Sequence, residues 1–259
     1  MTATTSAAVA LANISVNYGN HAVLEDITFS VAAGQFVAII GPNGAGKTTC
    51  LKVILGLITP SSGTVRLFGM EPAETIKKRH AIGYVPQRSV LERNLPLSVM
   101  DVVLLGRVGA MGPLKWFSKK DRADAAKNLQ RVELLDCADR PINELSGGQL
   151  QRAMIARALS CGDPKLLILD EPTIGVDIPH QLGLYEVLVN LKKEMGLTIL
   201  VVSHDLAMIS NYADEMVCLN RTMHVHGNPC EVLHSHGVET AYRCEFDRLF
   251  GAGKGGHPC

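Results

Sequence analysis

The chain has 259 residues, and 47% of them are hydrophobic, which is enough to bury the core of one large domain. Its 25 basic and 25 acidic residues give a formal net charge of zero, so the overall charge does not favour a nucleic-acid partner. The longest apolar runs, Phe36 to Ile40 and Thr198 to Val202, fall far short of the roughly 20 residues that span a bilayer. We therefore do not expect the chain itself to form a membrane channel.

The start of the chain and its cysteines bear on cellular location. Met1 to Leu11 lacks the positively charged leader and the longer hydrophobic stretch of a secretory signal. The seven cysteines are scattered without CxxC spacing, and their odd number suits reduced thiols better than a disulfide framework. Both features indicate a cytoplasmic protein.

The first predicted element is a β-hairpin. Two alternating runs, Leu11 to Tyr18 and His21 to Ser30, are separated by Gly19-Asn20, a dipeptide typical of tight turns. Thr64 to Phe68 is a candidate for a further strand of the same sheet. The N-terminal region is therefore predicted to be antiparallel.

A glycine-rich loop follows the buried run Phe36 to Ile40 and precedes a predicted helix, Lys47 to Leu57. It fits the phosphate-loop pattern G-x-x-x-x-G-K-[ST], in which backbone N–H groups and a helix N-terminus bind phosphate. In this pattern the lysine meets the β- and γ-phosphates, and the hydroxyl reaches Mg²⁺. The alternative is a glycine-rich turn with an incidental lysine. The predicted nucleotide-binding residues here are Gly41, Pro42, Asn43, Gly44, Ala45, Gly46, Lys47, Thr48 and Thr49.

Helical patterns dominate from about Arg88 to Asn143, including an apolar segment at Val99 to Leu105 and an amphipathic one at Lys119 to Leu135. A helix over Leu150 to Leu159 comes next, preceded by a good N-cap serine and two glycines that expose backbone donors. This second anion-binding helix start indicates a site for the nucleotide of a partner subunit, the alternative being an ordinary capped helix. Its residues are Ser146, Gly147, Gly148 and Gln149.

Two adjacent carboxylates follow another buried run, Leu166 to Leu169, and ligands of open α/β sheets bind at such strand ends. Thr198 to Val202 is a second run of this kind, so we expect a partly parallel sheet. Asp170 would serve Mg²⁺, and Glu171 would position and polarise the attacking water. Two solvated acids in a turn are the alternative.

Taken together, these motifs closely resemble those of the ATP-binding-cassette (ABC) ATPases over nearly the whole chain. The phosphate loop, a glutamine loop in Tyr84 to Gln87, the signature Leu145 to Gln149, Asp170-Glu171, and a histidine in Val202 to Asp205 occur in the family's order. The resemblance implies a P-loop ATPase core with a mostly parallel sheet, an N-terminal antiparallel β subdomain and an inserted helical lobe. It also implies that ATP and Mg²⁺ are bound.

The resemblance assigns further roles by position. It implies that Tyr18 stacks on adenine, that Gln87 reaches Mg²⁺ and the attacking water, and that His204 senses the γ-phosphate. Asp177 matches the loop that crosses a homodimer interface, where Ser146 and Gly148 of one subunit face the ATP of the other. Each residue has a plainer alternative, such as a hairpin aromatic, a solvated loop amide or a polar group after a strand.

The resemblance also implies the domain organisation. It predicts one ABC ATPase domain over residues 10–250, with the core and its β subdomain at 10–86 and 160–225 and the helical lobe at 88–158. Residues 226–259 form a tail containing His and Cys. A regulatory metal site in this tail is the alternative to an exposed polar surface, with candidate ligands His224, His226, His234, His236, Cys244, His257 and Cys259.

Within the family, several segments resemble the zinc and manganese uptake ATPases, and zinc is slightly favoured. They are Leu95 to Arg107, Phe117 to Arg122, Gly175 to Asp177, Tyr212 to Asp214 and Cys218 to Arg221. The resemblance implies a subunit on the cytoplasmic face of the membrane. A separate permease would dock near Gln87 to about Trp116, and an extracytoplasmic substrate-binding protein would complete the importer. The alternatives are an iron-chelate importer and, more remotely, a soluble cassette acting on nucleic acid or ribosomes.

Overall fold

The structure is a computed structural model that describes residues 7–77, 82–87, 96–111 and 115–242. The strands are β1 (Ala7–Tyr18), β2 (His21–Ala32), β3 (Phe36–Ile40), β4 (Ser62–Leu67), β5 (Ile82–Val85), β6 (Leu166–Asp170), β7 (Thr198–Ser203), β8 (Glu215–Asn220) and β9 (Thr222–Gly227). The helices are α1 (Lys47–Ile54), α2 (Pro72–Lys77), α3 (Val99–Leu105), α4 (Val108–Met111), α5 (Lys119–Arg131), α6 (Gly147–Leu159), α7 (Ile178–Met195), α8 (Leu206–Ile209) and α9 (Pro229–Leu233), with 3-10 turns at Leu135–Cys137 and Ile142–Glu144.

The N-terminal sheet is antiparallel, with the strand order β2-β1-β4. Strands β1 and β2 form the predicted hairpin, in which Tyr18 pairs with His21 across the Gly19-Asn20 turn. Strand β4 pairs with the other edge of β1, where Val9 lies opposite Leu67. The expectation that Thr64 to Phe68 adds a strand to this sheet is confirmed, although β4 ends at Leu67.

The second sheet has the strand order β5-β6-β7-β3-β8-β9. Neighbouring strands from β5 to β8 are parallel, and β9 is antiparallel to β8. Every residue of β3, β6 and β7 is buried, in agreement with the continuous apolar runs in the sequence. Because parallel strands end at the same edge of a sheet, the segments that follow β3, β5, β6 and β7 meet there.

Helices α3, α5 and α6 lie between β5 and β6 in the chain and share the core cluster with the central sheet. Each begins at a capping box, formed by Ser98 with Asp101, Ser118 with Asp121, and Ser146 with Gln149. The predicted fold class is therefore confirmed, with a mostly parallel sheet, an antiparallel N-terminal sheet and a helical insertion. Among the described residues, no helix is both long and apolar enough to cross a bilayer.

Two predicted helices end earlier than the sequence pattern suggests. Helix α1 ends at Ile54, because Gly56 adopts a left-handed conformation with a φ of 67°. Helix α5 ends at Arg131, and Glu133 follows in a left-handed conformation with a φ of 54°. The apolar spacing continues beyond both ends, so periodicity alone overestimates the helix lengths.

The region after residue 220 contributes more to the fold than the sequence suggests. Strand β9 ends at Gly227, so the predicted tail boundary at residue 226 falls within a strand of the central sheet. His226 Nε2 lies 2.9 Å from Glu215 Oε2, and its ring packs edge-on against Phe29 of β2. The first contact joins β8 to β9 within the central sheet, and the contact with Phe29 connects that sheet to the N-terminal one.

Candidate functional site

The predicted phosphate loop joins β3 to α1 and is closely packed on both sides. Gly41, Gly44 and Gly46 have φ angles of 155°, 80° and 92°. A Cβ atom on Gly41 would lie 2.0 Å from the backbone oxygen of Leu219 in β8, and one on Gly46 would lie 2.6 Å from Leu24 Cδ2 in β2. The loop therefore requires glycine for its backbone angles and for the limited space around it.

Lys47 is the first residue of α1 and is buried beneath this loop. Its Nζ donates hydrogen bonds to the backbone oxygens of Gly41 at 2.7 Å and Pro42 at 2.9 Å. The same ammonium lies 3.8 Å from Glu171 Oε1. The positive charge is thus fixed at the point where the loop meets the end of β6.

Thr48 and Asp170 connect α1 with β6. Thr48 Oγ1 donates to Asp170 Oδ1 over 3.2 Å, and Asp170 is only 1% exposed. Burial raises the pKa of the Asp170 carboxyl; the Thr48 hydrogen bond opposes this rise, and the charge of Glu171 adds to it. The two side chains place a hydroxyl and a carboxylate oxygen side by side.

Glu171 is the residue on which three strand ends converge. Its φ of 49° is left-handed, an uncommon conformation for a residue other than glycine, and its N–H donates to Val202 O at 3.0 Å. Gln87 Nε2, after β5, donates to Glu171 Oε2 at 2.9 Å. His204 Nδ1, after β7, lies 3.7 Å from the same oxygen. The structure thus brings together the three predicted catalytic residues Glu171, Gln87 and His204.

Two cavities adjoin this cluster and share Asn43, Gln87 and Glu171 in their walls. One, of about 300 Å³, is also lined by Val23 and by the predicted residues Gly44, Ala45, Gly46, Lys47, Thr48 and Thr49. The other, of about 530 Å³, is also lined by Thr173, Ile174, Gly175, Gln181, His204 and Asp205. The space beside the phosphate loop therefore continues past Glu171 towards the loop before α7.

Tyr18 lies apart from these cavities, at the exposed tip of the β1–β2 hairpin. The beginning of β2 approaches the phosphate loop through Val23 and Leu24. Tyr18 belongs to the same end of the hairpin but is not part of the described lining of either cavity. Its predicted role with adenine stays a prediction.

Four of the signature residues lie at the start of α6, with Ser146 as the N-cap and Gly147, Gly148 and Gln149 in the first turn. Ser146 Oγ accepts from the N–H of Gln149 at 3.3 Å, and the Ser146 N–H donates to Gln149 Oε1 at 3.1 Å. None of the four is among the described residues lining the two cavities. They adjoin the loop before α7 instead: a Cβ atom on Gly147 would lie 3.5 Å from Gly175 O, and one on Gly148 would lie 3.2 Å from His180 Cβ.

Asp177 lies in the same region as these signature residues. It is the N-cap residue of α7, although its carboxylate makes no capping hydrogen bond. Asp177 Oδ1 is instead 2.6 Å from His180 Nδ1. Apart from Tyr18, the predicted site residues thus separate into two groups within one chain. The first surrounds Glu171, and the second joins the signature to Asp177.

The histidines of the predicted tail make separate contacts. His234 Nδ1 lies 2.8 Å from Cys230 O, and His236 Nδ1 lies 3.1 Å from Glu239 Oε2. Across the described ranges there is no group of three or more His, Cys, Asp or Glu residues arranged to hold a metal ion. Cys244, His257 and Cys259 lie outside the described residues.

Sequence reasoning missed Gln181, which lines the larger cavity. Gln181 Nε2 donates to Val176 O at 2.7 Å and Thr173 O at 3.3 Å, so it supports the loop that follows Glu171. The sequence offered one signal for this role. Gln181 lies four residues after Asp177 at the start of a helix, and side chains at this spacing lie next to each other on the helix surface.

The chain is similar to known proteins along most of its length. The family model described as ABC transporter matches residues 24–174, from β2 to the loop after Glu171. The chain belongs to the ABC transporter family. The manganese transport system ATP-binding protein MntA of Synechocystis sp. is 40% identical over 90% of this chain and 89% of its own length. The zinc uptake system ATP-binding protein ZurA of Listeria monocytogenes is 41% identical over 86% of each chain.

Solved structures show the same architecture. An ATP-binding cassette of an ABC transporter in its ADP conformation is similar with a TM-score of 0.81 and 27% identity, over 92% of this chain and 98% of that one. A bacterial ABC transporter cassette with a dimeric structure has a TM-score of 0.70 and 29% identity, over 85% of this chain and 98% of that one. The fold of this chain is that of a nucleotide-binding cassette.

Proposed function

We propose that the chain is the ATP-hydrolysing subunit of an ABC importer for zinc or manganese. The observation that carries the ATPase part is the convergence of Lys47, Gln87 and His204 on the Glu171 carboxylate. The choice of cargo rests on relatives about 40% identical along most of the chain, which are ATP-binding proteins of manganese transport and zinc uptake systems.

The phosphate loop would bind the phosphates of ATP. The loop from Gly41 to Gly46 and the start of α1 offer backbone N–H donors, and a helix N-terminus favours negative charge. The buried Lys47 ammonium adds a full positive charge at the same point. Tyr18, at the end of the hairpin that adjoins this loop, would stack on the adenine.

Thr48, Gln87 and Asp170 would hold the Mg²⁺ of MgATP. Their side chains supply a hydroxyl oxygen, an amide oxygen and a carboxylate oxygen, which are ligands that suit a hard cation. Thr48 and Asp170 are already in contact. Since burial disfavours the ionised form of Asp170, a nearby divalent cation would stabilise that carboxylate. Bound Mg²⁺ supplies positive charge that neutralises the phosphate oxygens.

Glu171 would accept a proton from the attacking water and orient it towards the γ-phosphate. Its backbone is fixed by the hydrogen bond to Val202, and its carboxylate by Gln87, so little reorganisation is needed. His204 Nδ1 lies 3.7 Å from the carboxylate oxygen that accepts from Gln87, and the imidazole would donate a hydrogen bond to the γ-phosphate.

A second copy of the chain would complete the site. Ser146, Gly147, Gly148, Gln149 and Asp177 lie on a surface separate from the phosphate-loop cavities, so in a head-to-tail homodimer they would face the ATP held by the other copy. Exposed apolar side chains accompany them: Ile174, Ile178 and Leu182 are 49%, 65% and 40% exposed. An apolar patch of this kind favours a partner surface, and a similar bacterial cassette has a dimeric structure.

The importer also requires a permease in the membrane. We place the chain on the cytoplasmic face, with integral membrane permease subunits docked near Gln87 to Trp116 and an extracytoplasmic substrate-binding protein delivering the metal. Trp116 is 94% exposed, which suits a docking contact. No nucleic-acid partner is proposed.

Uptake of radioactive zinc and manganese tests the proposal. Cells that carry Glu171→Gln in place of the unaltered chain should lose uptake of one ion, because the variant binds ATP but fails to activate water. Uptake of the other ion serves as the internal control. If uptake of both ions is unchanged, the metal assignment is wrong, and uptake of iron chelates is the next measurement.

A further inference from the structure

His180 lies where the two motifs of the proposed dimer surface meet. We propose that His180 is a positioning residue that fixes the Asp177 carboxylate against the signature motif, so that both present one preformed surface to the second copy. The inference rests on the proposed function, because it concerns the surface that would close over ATP.

A short hydrogen bond supports the first half of this inference. His180 Nδ1 and Asp177 Oδ1 are 2.6 Å apart. A carboxylate oxygen accepts and does not donate, so the imidazole Nδ1 is the donor. An aspartate at an N-cap ordinarily accepts from the backbone N–H groups of the first helical turn, but Asp177 makes no such bond. The Asp177 side chain is therefore held by the imidazole of His180 and not by the backbone N–H groups of α7.

Packing against the signature supports the second half. A Cβ atom on Gly148 would lie 3.2 Å from His180 Cβ and 3.4 Å from both Cγ and Cδ2. The imidazole ring consequently lies directly on the second glycine of the signature. The Cβ, Cγ and Cδ2 atoms of His180 thus lie beside α6, while Nδ1 binds Asp177.

Gln181, the residue after His180, supports the loop that leads to Asp177. Gln181 donates to the backbone oxygens of Val176 and Thr173, so it fixes the main chain that leads to Asp177. His180 and Gln181 are therefore adjacent supports in the first turn of α7, one for the Asp177 side chain and one for the preceding backbone. Rigid positioning of this kind lowers the entropy lost on association.

Two substitutions separate the hydrogen bond from the ring contact. His180→Asn keeps an N–H donor near the position of Nδ1 but removes most of the ring, whereas His180→Phe keeps a ring without a donor. Both are placed in the Glu171→Gln background, and the fraction of dimer is measured by analytical ultracentrifugation against ATP concentration. ATP binding at micromolar protein concentration is followed in parallel by titration calorimetry.

We expect His180→Phe to raise the ATP concentration for half-maximal dimerisation about fivefold or more, the size expected for one lost hydrogen bond of ordinary strength at an exposed position. His180→Asn should recover most of that loss, and ATP binding by the monomer should not change. Equal dimerisation by all three proteins would overturn the role of His180. If the Glu171→Gln protein itself stays monomeric with ATP, the proposed homodimer is wrong, and the role of His180 at its interface is rejected with it.

Discussion

The side-chain amide of Gln87 donates a hydrogen bond to Glu171 Oε2 over 2.9 Å, and this bond joins the end of β5 to the end of β6. The partners lie 84 residues apart in the chain. Strand order alone brings them together, because β5 and β6 are neighbours in the sheet. Any change at Gln87 therefore acts on the proposed catalytic carboxylate directly.

Replacing Gln87 with Ala should lower kcat for ATP hydrolysis by about tenfold or more, because Glu171 loses the donor that orients it. The KM for MgATP should change less than kcat, because the variant lacks one proposed Mg²⁺ ligand but keeps the phosphate loop, Thr48 and Asp170. Steady-state ATPase kinetics measure both values. Gln35→Ala is the matched control, because Gln35 Nε2 makes a 2.8 Å bond to Glu215 away from the site. An equal loss of kcat in both variants would contradict the prediction.

Replacing Lys47 with Ala should weaken ATP binding by about 100-fold, because the variant lacks the buried charge beside the phosphate loop. Isothermal titration calorimetry measures the affinity. Lys165→Ala provides the control, since Lys165 is exposed and paired with Asp163 at 2.9 Å. Unchanged ATP affinity for Lys47→Ala would exclude its proposed contact with phosphate.

Alanine substitutions in the phosphate loop should differ sharply in their effect on stability. Gly41→Ala should lower the free energy of unfolding by about 3 kcal/mol or more, because its Cβ would lie 2.0 Å from backbone, which cannot rotate away. Gly44→Ala, at a φ of 80° with nothing within 4 Å of its Cβ, should cost only about 1 kcal/mol of backbone strain. Urea denaturation compares the two variants, and equal losses would show that the loop can move away from β8.

The buried thiols should resist alkylation in the folded protein. Burial raises the pKa of Cys50 to about 12 and that of Cys218 to about 12, so both are protonated at pH 8, and only the thiolate reacts. Cys230 is exposed and should react first. Iodoacetamide labelling with mass spectrometry tests this order, and labelling in urea, where all three should react, is the control. Rapid modification of Cys50 without urea would contradict its burial.

The raised thiol pKa values also predict how stability depends on pH. A thiol that binds its proton more tightly in the folded chain stabilises that chain fully below the unfolded pKa of about 9. This contribution is lost progressively as the pH rises from about 9 to about 12. The free energy of unfolding measured in urea titrations should therefore fall as the pH rises above about 9, and the fall should be smaller in Cys50→Ala.

Much of the fold could be predicted because the signals are local. The continuous apolar runs of β3, β6 and β7 indicate strands covered on both faces, and the Gly19-Asn20 turn identifies the hairpin. Strand order and exact ends are less accessible, since they depend on contacts between distant segments. The place of β9 in the central sheet is one example, and the ends of α1 and α5 are others.

In the candidate site, too, features with a local sequence signal could be predicted, and features that depend on distant contacts could not. The phosphate loop and the Asp170-Glu171 pair follow from residue types and their strand contexts, whereas Gln87 and His204 were identified only through family resemblance. The left-handed backbone of Glu171 carries no sequence signal, because glycine is the usual residue there. The bond between His180 and Asp177 was likewise not predicted, since it depends on side-chain rotamers that no motif specifies.

The order β6-β7-β3 builds the nucleotide site from segments that are remote in the chain, so the site exists only once the central sheet has assembled. A ligand that binds the folded chain alone shifts the folding equilibrium by mass action, by about 2.7 kcal/mol at 100 times its dissociation constant. ATP at cellular concentrations would then act as a folding ligand. Degradation of the chain would therefore become sensitive to the supply of nucleotide, because depletion of ATP would raise the unfolded fraction.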